Sequence, residues 1–103
     1  MPTPTALRLM AERGIITCEC EGCNNLAEQA HHCLYGRSKR YPDLNADENF
    51  QIVCHVCHFE TGAANSWENR HYFWGVQCER FGYQHMVDWH NNLRLKVKEK
   101  GYA

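Results

Sequence analysis

The residues of this chain whose types and spacing can do chemistry lie between positions 18 and 58. Cys20-x-x-Cys23 is followed, after thirty intervening residues, by Cys54-x-x-Cys57. Each C-x-x-C turn aims two sulfurs at one point, and Zn²⁺ prefers four thiolates in a tetrahedron, so two such turns close a structural site. Cys18 keeps other chelates open, since Cys18-x-Cys20 and Cys18-x4-Cys23 are also feasible and His55 can replace a cysteine. The preferred set is Cys20, Cys23, Cys54 and Cys57. Cys18, Cys33 and Cys78 otherwise read as small buried apolar residues.

A second set runs His31-His32, Asn49, His58. Singly, each has an ordinary explanation: a lone histidine in a core or on a surface, an asparagine in a turn. Their order places two histidines on or beside one strand, the asparagine just before the next strand, and the last histidine at the start of a helix. A hairpin packed on that helix can bring all four together. Adjacent residues of a regular strand face opposite ways, so for His31 and His32 to share a site the strand must bend, end or bulge there. His71, His85 and His90 sit at helical positions without a chelating neighbour in sequence and read as structural.

The elements that must position these groups can be read in outline. Thr3 caps a helix with Pro4 in its first turn and Leu7, Met10 and Ala11 at helical spacing, and Gly14 stops it. Residues 26–34 have weak strand character, 35–48 read as loop, and Phe50 to Val53 form a short apolar strand. A helix is expected from His55 to Gly62. Ser66 caps another, with Trp67, His71, Trp74, Cys78 and Phe81 on its apolar face before Gly82. Trp67, Tyr72, Phe73 and Trp74 read as core rather than stacking platforms. A last helix runs from Tyr83 to about Lys100, with Met86, Val87, His90, Leu93 and Val97 as its stripe.

With 103 residues, 44% hydrophobic and 22% charged, the chain fits one small domain, 1–103, with a motif core at 18–62 and a helical extension at 66–100. So small a core benefits from a metal staple. The formal net charge is −1, so attraction to a polyanion must be local. Arg37, Lys39 and Arg40 form one basic knot beside the histidine pair, suited to touching phosphates. Arg94, Lys96, Lys98 and Lys100 form a second. Arg8, Glu12 and Arg13 interrupt the first apolar run, so neither a signal-peptide core nor a membrane span is expected. Seven cysteines, an odd number with close pairing, suit metal binding in a reducing cytoplasm better than a secreted disulfide framework.

The sequence resembles the HNH endonuclease family, in its zinc-containing branch common among small phage and bacterial proteins. The residues that carry the resemblance are C20-E-G-C23, A-H31-H32-C, E-N49-F and V-C54-H-V-C57-H58, within about residues 18 to 62. The resemblance implies an α+β fold, a ββα-metal, treble-clef-like core with an N-terminal helix and two C-terminal helices. It implies that His31 and His58 bind a catalytic divalent metal (Mg²⁺, Mn²⁺, Ni²⁺ or Zn²⁺) and that His32 is the general base. Asn49 would hold the loop between the strands, orient His32 through its backbone or, as in some relatives, approach the metal itself. The activity implied is metal-dependent hydrolysis of DNA phosphodiester bonds in a bacterial or phage-infected cytoplasm, with no membrane partner. A homodimer would suit cutting of both strands, and phage packaging proteins are partners by family habit. A third histidine after His58 is absent, since Phe59, Glu60, Thr61 and Gly62 follow. The alternative is a noncatalytic zinc-stabilised module that binds nucleic acid or protein.

Overall fold

Among the described residues, three α-helices and two strands arise from short, well-punctuated stretches of chain. The computed structural model describes residues 2–36 and 42–99. Helix α1 spans Pro4–Arg13; strands β1 (Gln29–His32) and β2 (Phe50–Val53) pair antiparallel; helices α2 (Trp67–Phe81) and α3 (Tyr83–Glu99) complete the order. No described helix is long and apolar enough to cross a membrane.

The helix ends obey local chemistry. Thr3 Oγ1 accepts the Ala6 N–H at 3.2 Å, and Ser66 Oγ accepts that of Asn69 at 3.0 Å, so each helix starts where a hydroxyl satisfies an otherwise orphaned amide. The face that α1 buries is rotated from the one its leucine spacing suggests. Ala6 and Leu9 are inside, whereas Leu7 is 52% exposed. Ala6 and Leu9 pack on Ala27, Phe50 and Ile52, which sets α1 against one face of the sheet.

The pairing Gln29↔Val53, Ala30↔Ile52, His31↔Gln51 and His32↔Phe50 is regular. With the strand period of two, Ala30, His32, Phe50 and Ile52 share the α1 face, and Gln29, His31, Gln51 and Val53 share the other. Every residue of β2 is buried. β1 covers one of its edges; on the other, Glu19 donates its N–H to the Ile52 carbonyl at 2.8 Å and accepts the Ile52 N–H through Oε1 at 2.9 Å.

That glutamate also holds a buried ion-pair network that composition alone conceals. Arg13 Nη1 reaches Glu19 Oε1 at 2.7 Å, and Arg80 Nη2 reaches Glu19 Oε2 at 2.8 Å. Arg13 further donates to the Phe50 carbonyl at 2.8 Å and the Asp47 carbonyl at 2.9 Å. The end of α1, the first cysteine segment, β2 and α2 are thereby tied at one carboxylate. Removing one partner of such a pair strands a charge in the interior. Glu19→Gln is expected to cost about 3 kcal/mol in urea unfolding, and a loss under about 1 kcal/mol would contradict a buried pair.

The face of α2 also departs from its apolar pattern. Asn69, Phe73 and Gln77 are buried, while Trp67 is 71% exposed. The inward amides are there because the core contains other polar groups: Gln77 Nε2 donates to the Glu48 carbonyl at 3.0 Å, Asn69 Nδ2 to the Ala64 carbonyl at 2.9 Å, and Asn69 pairs with the Gln51 side chain in both directions, at 3.0 and 2.6 Å. Of the aromatics expected as core, Phe73 is inside; it packs with Cys33, Leu34 and Met86, and α3 closes that cluster with Trp89. Leu93 is buried against Leu44.

The helix expected from His55 to Gly62 is present as a single wide π turn, Val56–Glu60, with the Thr61 N–H bonded to the Val56 carbonyl at 2.9 Å. A five-residue span of this kind is uncommon and favours functional positions. Gly62, at φ +73°, ends it as the sequence predicts, because a left-handed residue reverses the chain at little steric cost.

Candidate metal centres

Four sulfurs converge, but one of them is not the expected one. The ligand atoms of Cys18, Cys23, Cys54 and Cys57 all lie within 4.8 Å of one another. Sulfurs placed about 2.3 Å from one ion at tetrahedral angles stand about 3.8 Å apart. Cys23 Sγ lies 3.8 Å from Cys54 Sγ and 3.7 Å from Cys57 Sγ, and no disulfide joins any of them. Spacing, burial and donor type therefore fit a structural ion such as Zn²⁺.

Cys18 takes the place that spacing assigned to Cys20, and the backbone supplies the reason. At Cys54-x-x-Cys57 the Cys57 N–H points at Cys54 Sγ, 3.4 Å away, and this bond supports a thiolate. At Cys20-x-x-Cys23 the corresponding Cys23 N–H goes to the Cys20 carbonyl at 3.1 Å, so Cys20 belongs to the turn. The bridge Thr17↔Leu26 and the bond from Cys18 N–H to the Asn25 carbonyl at 2.8 Å make Cys18-x4-Cys23 the chelating loop. Gly22 turns it at φ +74°. Asn25 Nδ2 adds a contact to Cys54 Sγ at 3.6 Å. Cys20 stays buried beside the cluster. His55 is exposed and outside the four. Burial pushes the Cys33 thiol up to about 12, in keeping with an inert core residue.

The histidines divide between the two faces of the sheet. His31 and His58 meet with ring centroids 5.0 Å apart. His31 Nε2 is 3.0 Å from the Ala64 carbonyl; a carbonyl can only accept, so that nitrogen carries the proton and Nδ1 keeps a lone pair. His58 Nδ1 bonds Gln29 Oε1 at 2.5 Å, which leaves Nε2 with the lone pair. Imidazoles that ligate metals are commonly held this way, with the second nitrogen donating to a fixed oxygen. Burial, then the neighbouring His58, pulls His31 down to about 4, and burial also lowers His58. Both rings are thus neutral at pH 7, the form that binds a cation.

His32 does not join them. The strand neither bends nor bulges, so its ring lies on the α1 face, edge-on to Phe50 at 4.7 Å between centroids. Its Nε2 is 2.8 Å from Asn45 Oδ1. The expected meeting of three imidazoles at one point is corrected to a pair, with His32 across the strand.

Asn49 is fully buried and every polar group of its side chain is used. Oδ1 accepts the N–H of Leu34 at 3.0 Å and of Tyr35 at 2.7 Å; Nδ2 donates to the carbonyls of Tyr35 and Leu44, each at 2.9 Å. It braces the two ends of the loop between β1 and β2, which makes it a positioning residue.

Arg37, Lys39, Arg40 and Lys100 lie outside the described residues. Of the remaining histidines, His85 pairs with Glu48 at 2.8 Å, His90 bonds the Tyr35 hydroxyl, and His71 is exposed. Gln29, Gln51 and Asn69, which shape the histidine pair from behind, escaped the sequence reading. Their one signal was glutamine or asparagine at positions that strand and helix periodicity turn inward. No known protein family, curated protein or solved structure matches this chain.

Proposed function

We propose that this protein is a zinc-stapled, metal-dependent endonuclease of the HNH type that hydrolyses DNA phosphodiester bonds. The observation that carries the reading is the His31–His58 pair: two neutral rings 5.0 Å apart, each fixed by a ring N–H to an oxygen behind it, beside a separate four-sulfur site. A divalent ion held by those two rings supplies positive charge to a scissile phosphate. His31 and His58 would hold such an ion, and their imidazole donors would favour Mn²⁺, Ni²⁺ or Zn²⁺ over Mg²⁺.

His32 is the proposed base. Its bond to Asn45 Oδ1 leaves Nδ1 as a lone pair able to take a proton from water. Its opposite facing is reconciled with a shared substrate by position: β1 is one strand of a two-stranded sheet, so a DNA backbone lying along the strand's outer edge can meet groups from both faces. A zinc-stabilised binding module without catalysis is the second reading, favoured by that same opposite facing.

A supercoiled plasmid incubated with the protein and Mg²⁺, Mn²⁺ or Ni²⁺ separates them. Cleavage is expected, reduced at least about a hundredfold in His32→Ala and in His58→Ala, with zinc content and helical signal intact in both. Cleavage by His32→Ala at the wild-type rate would remove the base assignment; an inert wild-type protein under every metal would leave the binding module.

A further inference from the structure

We propose that a cleft between the start of α2 and α3 holds an unstacked base of single-stranded DNA next to the histidine pair, an inference that rests on the nuclease reading and narrows its substrate. The cleft has a volume of about 390 Å³ and is lined by Tyr35, Trp67 and Trp74 together with Arg70, His71 and His90. That volume is at the small end of ligand pockets, enough for a base and far too little for a duplex. Among the described residues no carboxylate lines it.

Three observations make the occupant a nucleotide rather than an apolar side chain. Trp67 stands 71% exposed at the rim, with the Arg70 guanidinium 5.9 Å from its ring centre; an indole left in water beside a cation is a platform for a flat, anionic-tailed ligand. The deeper wall is aromatic as well, with Tyr35 and His90 stacked at 5.6 Å and Trp74 edge-on to His90 at 6.0 Å. Among the described lining residues the permanent charge is the Arg70 cation, and Arg94 follows His90 by about one turn of α3.

Placement ties the cleft to the candidate catalytic groups. Arg70 Nε donates to the Cys33 carbonyl at 3.3 Å, one residue past His32 and two past His31. A strand whose base enters the cleft therefore runs its phosphates past Arg70 toward β1. A base paired within a duplex offers no free face to Trp67, so the cleft selects single-stranded or locally melted DNA.

Binding of a fluorescein-labelled twelve-nucleotide oligothymidine, followed by anisotropy at low salt without added divalent metal, tests this independently of cleavage. Trp67→Ala is expected to weaken binding about tenfold and Trp67→Phe by less than about threefold, since stacking needs a π face. Both variants should keep zinc and helical signal, because the side chain is mostly in solvent. The wild type should bind the single strand more tightly than a duplex of equal length. Equal binding by Trp67→Ala, preference for the duplex, or no binding by the wild type would each overturn the proposal. A protein that binds through Trp67 yet cuts no DNA would sink the nuclease reading alone.

Discussion

Cys20→Ser is expected to keep one zinc per chain with unchanged affinity, whereas Cys18→Ser should bind zinc at least about a hundredfold more weakly and lose most of its cooperative unfolding. The difference follows from geometry. Cys18 is one of four sulfurs within 4.8 Å of one another, and Cys20 has its carbonyl committed to the turn that presents Cys23. A structural zinc contributes on the order of 10 kcal/mol of apparent binding energy, more than the whole net stability of many domains this small. For Cys20 to replace Cys18, that turn would have to open and the bond from Cys18 N–H to Asn25 would have to break. Competition against a chromogenic chelator, with far-UV dichroism on the same samples, gives both readouts. Zinc loss in Cys20→Ser with retention in Cys18→Ser would reverse the assignment.

Asn49→Ala should be the most damaging change outside the zinc ligands. It deletes four hydrogen bonds at once and leaves two amides and two carbonyls facing a dry gap at a fully buried position. A single unsatisfied buried group costs about 1–3 kcal/mol; with partial relaxation and water entry the total should reach about 4 kcal/mol. Asn49→Asp should fare little better, because its second oxygen would confront the carbonyls of Tyr35 and Leu44. Urea unfolding of zinc-loaded protein measures the loss, and zinc stoichiometry below the transition should stay at one. A change under about 1 kcal/mol would mean that the loop does not depend on this side chain. Through the amides of Leu34 and Tyr35, Asn49 fixes the chain immediately after His31 and His32.

Much of this protein is set by local chemistry and was legible without coordinates. Thr3, Pro4 and Gly14 bound α1, Ser66 and Gly82 bound α2, and Phe50 to Val53 form β2, because caps, prolines and glycines act over one turn and a short apolar run has few alternatives. Cys54-x-x-Cys57 behaves as its spacing requires, for the same reason. What only the tertiary structure decided depends on partners distant in sequence. The choice of Cys18 over Cys20 rests on which amide meets a sulfur and which a carbonyl. The rotation of α1 and α2 rests on an interior that contains Gln51, the carbonyl of Glu48 and the Glu19 carboxylate, so that amides and arginines face inward while Leu7 and Trp67 face out. The separation of His32 from His31 and His58 rests on regular pairing with Phe50, since a strand held in register has no freedom to turn two neighbouring side chains the same way.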